Sequence, residues 1–164
     1  MYVDRDLEFE AIEYVCAQIK SEYPLIHPDN TIIFNVSPDY SSTAALHLSH
    51  YLSKGGDYVN FINVNVPYPD EDPFQYQTDF KRLFSHLPEF DWYIFIEAGI
   101  ISGGNYTFLT SHVTSMGVPK EKLITATLFE NLNSKFKCNV VGNYYDWDKR
   151  QLEFYWEREN RHWD

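Results

Sequence analysis

The sequence predicts an α/β fold, a three-layer, mostly parallel sheet flanked by helices, and three observations point to it. Short apolar runs with strand character alternate with runs at helical spacing. The run Trp92-Tyr93-Ile94-Phe95-Ile96 is aromatic, β-branched and too short for a buried helix, as suits a strand covered on both faces. That run leads through Glu97 into the small-residue turn Ser102-Gly103-Gly104-Asn105. Strands joined through helices make right-handed crossovers, which is why the sheet should be parallel.

In chain order, Phe9, Ile12, Val15, Cys16 and Ile19 recur at helical spacing, and Tyr23-Pro24 closes that covering helix. Thr31 to Val36 reads as a strand, Ser41 to Ser53 as a helix stopped by Gly55-Gly56, and Tyr58 to Val66 as a second strand. Pro67-Tyr68-Pro69-Asp70-Glu71-Asp72-Pro73 reads as an exposed loop, after which Phe80, Leu83, Phe84 and Leu87 resume helical spacing. The strand over 92–97 feeds a helix from Asn105 to Met116, ended by Gly117 with Pro119 beyond, and two more strands follow.

The chain has 164 residues, 44% of them hydrophobic, which fills one core and calls for one domain. A net charge of −11 works against nucleic acid and anionic membranes as partners, because both reward a basic patch. No apolar stretch approaches the roughly 20 residues that span a bilayer. Cys16 and Cys138 lack metal spacing, and MYVDRDLEFE has no basic region followed by an apolar run, so a cytoplasmic location is expected. Six histidines form no compact ligand set; His47 and His50 lie three apart on a helix, more often a surface feature than a metal pair. Ser41, Ser42 and Ser102 have no recognisable triad partner, and no Walker A loop is present.

In parallel α/β sheets ligands bind at the carboxyl ends of strands, where the next helix begins with unpaired amides. Gly103 and Gly104 allow close backbone approach, Ser102 adds a hydroxyl, and a helix N-terminus favours an anion; a phosphate group is the natural guest. The stretch Ile94 to Asn105 resembles the phosphoribosyl-pyrophosphate (PRPP) motif of type I phosphoribosyltransferases: apolar residues, two acids, three variable positions and a Thr/Ser-Gly-Gly/Lys-Thr loop. Glu97 matches the first acid and Ser102-Gly103-Gly104 the loop; Ala98 replaces the second acid and Asn105 the closing Thr. A second stretch, Leu123 to Arg158, is similar to the carboxyl-terminal part of the hypoxanthine and xanthine-guanine enzymes, through Ile124 to Phe129, Lys137-Cys138-Asn139-Val140 and Phe154-Tyr155-Trp156-Glu157.

The resemblance implies a phosphoribosyltransferase-like domain with an amino-terminal helix over 1–24, a core over 25–130, and carboxyl-terminal strands with the base-site region over 131–164. It implies that Glu97 binds ribose hydroxyls directly or through Mg²⁺, and that residues Ser102, Gly103, Gly104, Asn105 and Tyr106, with Ala98 beside Glu97, hold the 5′-phosphate and ribose. The pyrophosphate-loop equivalent is Ser37-Pro38-Asp39-Tyr40, where Asp39 occupies the expected cation position and would repel pyrophosphate. A turn or capping role for Asp39, with Ser41 and Ser42, is the better reading. Ile101 stands where the 6-oxopurine enzymes carry a proton-handling Asp, Asn131 at the base-recognising Lys, Val140 in the turn counterpart, and Gln151 at the aromatic that stacks on the purine. Tyr144, Tyr145 and Trp147 could supply replacement aromatics, although a core or surface role suits each of the 13 Tyr better.

These departures make ordinary guanine or hypoxanthine salvage an unexpected activity. The leading expectation is a divergent phosphoribosyltransferase-like protein that binds a phosphorylated ribose or nucleotide, such as PRPP or a nucleoside monophosphate, at residues 102–106. An active transferase that moves phosphoribose from PRPP to a nitrogenous base is one alternative, and a non-catalytic regulatory or interaction module is another. The mixed-charge end, Trp156 to Trp163, either packs back on the domain or meets another subunit, as in a homodimer.

Overall fold

Burial decides the central strands. Thr31–Val36 and Leu123–Asn131 are buried at every position, so neither shows an alternating pattern and both need cover on two faces. The computed structural model describes residues 1–66, 82, 84, 85, 89–155 and 157, and for residues 38–40 the backbone alone. In chain order it contains β1 (Tyr2–Val3), α1 (Arg5–Glu22), β2 (Thr31–Val36), α2 (Pro38–Tyr51), β3 (Asn60–Val64), β4 (Trp92–Ile100), α3 (Gly104–Ser115), β5 (Leu123–Asn131), β6 (Val140–Tyr145) and β7 (Glu153–Phe154).

The main sheet has the order β3-β2-β4-β5-β6 and every pairing is parallel. Ile12, Val15 and Ile19 of α1 and Leu48 of α2 pack with Ile33, Ile94 and Ile124 on one face. Tyr106, Leu109 and Val113 of α3 pack with Phe34, Tyr93 and Phe95 on the other, where the rings of Phe34 and Phe95 stack at 4.8 Å. The expected three-layer α/β fold is therefore present. After β2 the chain moves to β3 on one side and returns as β4 on the other, so the order reverses above the carboxyl ends of β2 and β4. Open α/β sheets form their ligand crevice at such a reversal.

Several boundaries differ from expectation for local reasons. α2 begins at Pro38 rather than Ser41, because proline at the first helical position has a preset φ and no amide to leave unpaired. Ser37 makes no side-chain capping bond to that helix, and Ser41 turns its hydroxyl to the carbonyls of Val36 at 2.5 Å and Ser37 at 3.1 Å. β3 is shorter than Tyr58 to Val66, and β4 runs on past Glu97, since Gly99 and Ile100 still pair with Phe129 and Glu130 of β5. α3 starts at Gly104 and ends at Ser115. Phe9 leaves the expected apolar stripe of α1; it is 41% exposed and meets His47 edge-on at 5.2 Å.

The sequence reading missed β1, a strand too short to show a period. It pairs in parallel with β7, Tyr2 opposite Glu153 and Val3 opposite Phe154, and forms a second small sheet from the two ends of the chain. The expected loop from Pro67 to Pro73, together with Phe80, Leu83 and Leu87, lies outside the described residues. Phe84 is described and stacks on Phe34 at 6.1 Å. Among the described residues no helix is long and apolar enough to cross a membrane.

Candidate functional site

Glu97 occupies the face of β4 that turns toward α3, near the reversal of strand order, and is only 7% exposed. Burial of a carboxylate is costly unless it is bonded, and Glu97 is bonded on one side. Its Oε1 accepts from the Ser37 hydroxyl at 3.0 Å and from Asn105 Nδ2 at 2.9 Å. Burial pushes its pKa from 4.5 up to about 7, with the bonds from Asn105 and Ser37 offsetting part of that rise. Both bonds use Oε1, and among the described residues Oε2 makes no hydrogen bond.

The two donors come from turns that the sheet brings together. Ser37 follows β2 directly, in a left-handed conformation with φ 54, and its amide is committed to the Val64 carbonyl at 3.1 Å. The bonds to Glu97 and Val64 hold a serine in a region that side chains seldom occupy. Asn105 lies in the first turn of α3, after Gly103 at φ 80. A Cβ on Gly103 would sit 2.3 Å from the Cβ of Phe136, whereas a Cβ on Gly104 would meet only Ser102 Oγ, at 3.6 Å. Gly103 thus serves the backbone and its packing, and Gly104 keeps open space above the turn.

The amides at the start of α3 are the natural anion donors. No side chain caps this helix; Gly104 N–H reaches Ser102 Oγ at a long 3.4 Å, and among the described residues the amides of Asn105 and Tyr106 make no hydrogen bond within the chain. Tyr106 contributes only its amide. Its side chain is fully buried and donates to the Ala126 carbonyl at 2.5 Å, with Phe136 stacked against the ring at 5.4 Å. Ala98 is also fully buried, in the core on the opposite face, and offers no group to a ligand.

Two hollows meet at Glu97. One, of about 230 Å³, is lined by the turn from Ile100 to Asn105 together with Glu97 and Gly99. The other, of about 250 Å³, is lined by Ser37, Ile101, Trp147, Leu152 and Glu157 with the same Glu97 and Gly99. A third hollow, of about 660 Å³, runs along the outer side of the turn and carries Lys135, whose amide donates to the Ser102 carbonyl at 3.3 Å. A larger one, about 900 Å³ around Tyr23, His27 and Trp92, lies at the amino ends of the strands. The buried Glu97 carboxylate and the turn into α3 meet above β4, away from that larger hollow.

The structure thus gathers Glu97, Ser37, Ser102, Gly103, Gly104 and Asn105, and leaves the base-site equivalents away from these hollows. Asn131 is a clip: its Nδ2 donates to the Ile101 carbonyl at 2.9 Å, and its Oδ1 accepts from the amides of Trp147 at 3.2 Å and Asn133 at 3.3 Å. It holds Ile101 and Trp147 in place. Val140 is buried in the core, and exposed Gln151 offers its carbonyl to the amino terminus. Of the three aromatics considered as replacements, only Trp147 lines a hollow at the turn. Tyr145 is buried with its hydroxyl on the Ile100 carbonyl at 3.0 Å, and Tyr144 is 54% exposed. Pro38, Asp39 and Tyr40 form the first turn of α2, and their side chains lie outside the described residues, as does the stretch from Trp156 to Trp163 apart from Glu157.

His47 meets the Phe9 ring and His50 that of Tyr58 at 4.4 Å. Among the described residues no group of three or more His, Cys, Asp or Glu side chains could hold a metal ion. Sequence reasoning missed Ser37 as a partner of Glu97, missed Lys135 and Leu152 altogether, and noted Glu157 in the carboxyl-terminal motif without giving it a place beside Glu97. Each reaches these hollows from a distant segment.

No family model and no curated protein matches this chain in sequence. Solved structures do match it in fold. The purine phosphoribosyltransferase of Pyrococcus horikoshii Ot3 superposes with a TM-score of 0.66 at 12% identity, over 95% of this chain and 93% of that one. The xanthine-guanine-hypoxanthine phosphoribosyltransferase of Helicobacter pylori gives 0.63 at 14% identity, over 98% and 94%. The HGPRT-ase of Leishmania tarentolae, solved in complex with GMP, gives 0.57 at 13% identity, over 85% and 77%. This chain is similar to these enzymes in the arrangement of its sheet and helices.

Proposed function

With the phosphoribosyltransferase fold as premise, we propose that this protein binds a nucleoside monophosphate across the two hollows that meet at Glu97. The 5′-phosphate rests on the turn from Ser102 to Tyr106, the ribose hydroxyls meet Glu97 Oε2, and the base enters the hollow beside Trp147. The carrying observation is that Glu97 and Gly99 line both hollows, so one ligand with a phosphate at one end and a flat ring at the other fits them together. Lys135 adds a positive charge on the outer side of the turn. The Leishmania tarentolae neighbour is a complex with GMP, and a Trypanosoma cruzi neighbour is a complex with the product IMP, so ligands of this class suit the fold.

The same geometry supports altered or lost purine salvage. Only Ser37 separates β2 from α2, its amide is already used, and Pro38 has no amide, so little backbone remains there to hold pyrophosphate. Mg²⁺ would be held by Glu97 Oε2, since Ala98 supplies no oxygen; such an ion is typically held by one or two carboxylates together with ligand oxygens. When bound it would help to neutralise phosphate charge. If the protein does turn over, Glu97 would steady the sugar as a base attacks C1′ and pyrophosphate leaves. Two free cysteines accord with a reducing compartment, and we place the protein in the cytoplasm.

Titration calorimetry with nucleoside monophosphates, ribose 5-phosphate, and PRPP with Mg²⁺ tests this reading. Nucleoside monophosphates should bind more tightly than ribose 5-phosphate, and a panel of bases with PRPP should release no pyrophosphate. Absence of heat with every ligand would leave an interaction module, and formation of a nucleotide would establish an active transferase.

A further inference from the structure

The hollow beside Trp147 has a one-sided polarity. Ile101, Trp147, Leu152 and Phe154 supply apolar walls of the kind that hold a flat ring. Among the described residues its polar side-chain groups are the Glu97 and Glu157 carboxylates, the Trp147 indole N–H and the Ser37 hydroxyl, whose proton is committed to Glu97 Oε1. Glu157 is fixed through Oε2, which accepts the Phe154 amide at 2.7 Å, and this leaves its Oε1 for a ligand. Among the described residues no Lys, Arg, His, Asn or Gln lines this hollow. Among the described residues the Trp147 indole N–H is the side-chain donor on this wall, and the other polar side-chain groups are acceptors, so an oxo group turned toward Glu157 would meet lone pairs and negative charge.

We propose that this hollow selects a heterocycle with an exocyclic amino group over its oxo counterpart, with Glu157 as the discriminating residue. This deepens the proposed function and rests on it. A ligand N–H facing a fixed carboxylate gains a charge-assisted hydrogen bond, whereas a carbonyl in that place is repelled and leaves the carboxylate unpaired. Glu97, nine-tenths buried and with no hydrogen bond to Oε2 among the described residues, adds a second acceptor at the sugar end of the same hollow. The nucleotide occupant would thus present its amino edge toward the small β1–β7 sheet that carries Phe154, and its phosphate toward α3.

Calorimetry with two matched pairs, AMP against IMP and GMP against XMP, tests the inference on the full chain, because within each pair an amino group is exchanged for an oxo group. The amino member should bind at least tenfold more tightly in one pair or both. Glu157→Gln, checked for an unchanged thermal midpoint, should narrow that ratio below threefold, and Glu157→Ala serves as a second variant should glutamine bind in the same way. Equal or tighter binding of the oxo member in both pairs would overturn the inference and leave the nucleotide reading standing. A preference untouched by both variants would overturn the role of Glu157. Failure of all four nucleotides to bind would overturn the nucleotide reading and this inference together.

Discussion

At Glu97, one residue carries opposing demands, and pH separates them. Its carboxyl has a pKa of about 7 in the folded chain against 4.5 ordinarily, chiefly through burial. The native state therefore binds that proton more tightly than the unfolded state, so stability from this group is fully present below about pH 4.5 and is lost as pH rises toward 7. Glu97→Gln keeps an acceptor oxygen for Ser37 and Asn105 and removes the charge. Urea unfolding should show the variant more stable than the parent above pH 7, by about 1–3 kcal/mol, with the gap closing near pH 5. A gap that is independent of pH would show that Glu97 is not the titrating group. Glu97 was legible in the sequence because a lone acid follows five apolar strand residues. Its partner Ser37 was not, since the left-handed turn that aims the hydroxyl exists only once β2 and β4 lie side by side.

Among the elements, the turn into α3 joins the fold to the candidate chemistry. Its two glycines have different duties, so they should respond differently to substitution. Gly103→Ala forces a side chain into a left-handed position and against Phe136, and should cost about 2 kcal/mol or more in urea unfolding. Gly104→Val places its side chain in open space above the turn and should leave stability within about 0.5 kcal/mol, while lowering nucleoside monophosphate affinity at least tenfold by calorimetry. Equal affinity in Gly104→Val would place the ligand elsewhere. The strands and helices of the core were readable because covered strands and helical stripes leave strong local patterns. Their ends were less so: α2 and α3 begin where Pro38 and Gly103 permit, and β4 continues to Ile100 because β5 still offers it partners. The clip made by Asn131 could not be read at all, for its three bonds reach Ile101, Asn133 and Trp147 through tertiary structure.

Across the whole molecule, strand order and the meeting of the chain ends build the site. The reversal between β2 and β4 opens a crevice, α3 turns its amino end toward it, and the β1–β7 pair brings Phe154 over the hollow beside Trp147. The family resemblance in the sequence anticipated this arrangement for Glu97 and the glycine turn, where the motif is contiguous. Farther along, Leu152 and Glu157 line the hollow beside Trp147 and Gln151 does not, an arrangement that a two-residue strand such as β7 gives no periodic signal to anticipate. The proposed phosphate cradle depends on the free amides at the start of α3. Amide chemical shifts in a ¹H–¹⁵N spectrum, followed as a nucleoside monophosphate is added, report on those groups directly. The Asn105 and Tyr106 resonances should show the largest shifts and saturate together with the calorimetric isotherm; a bound nucleotide that leaves both resonances unmoved would contradict the oxyanion cradle.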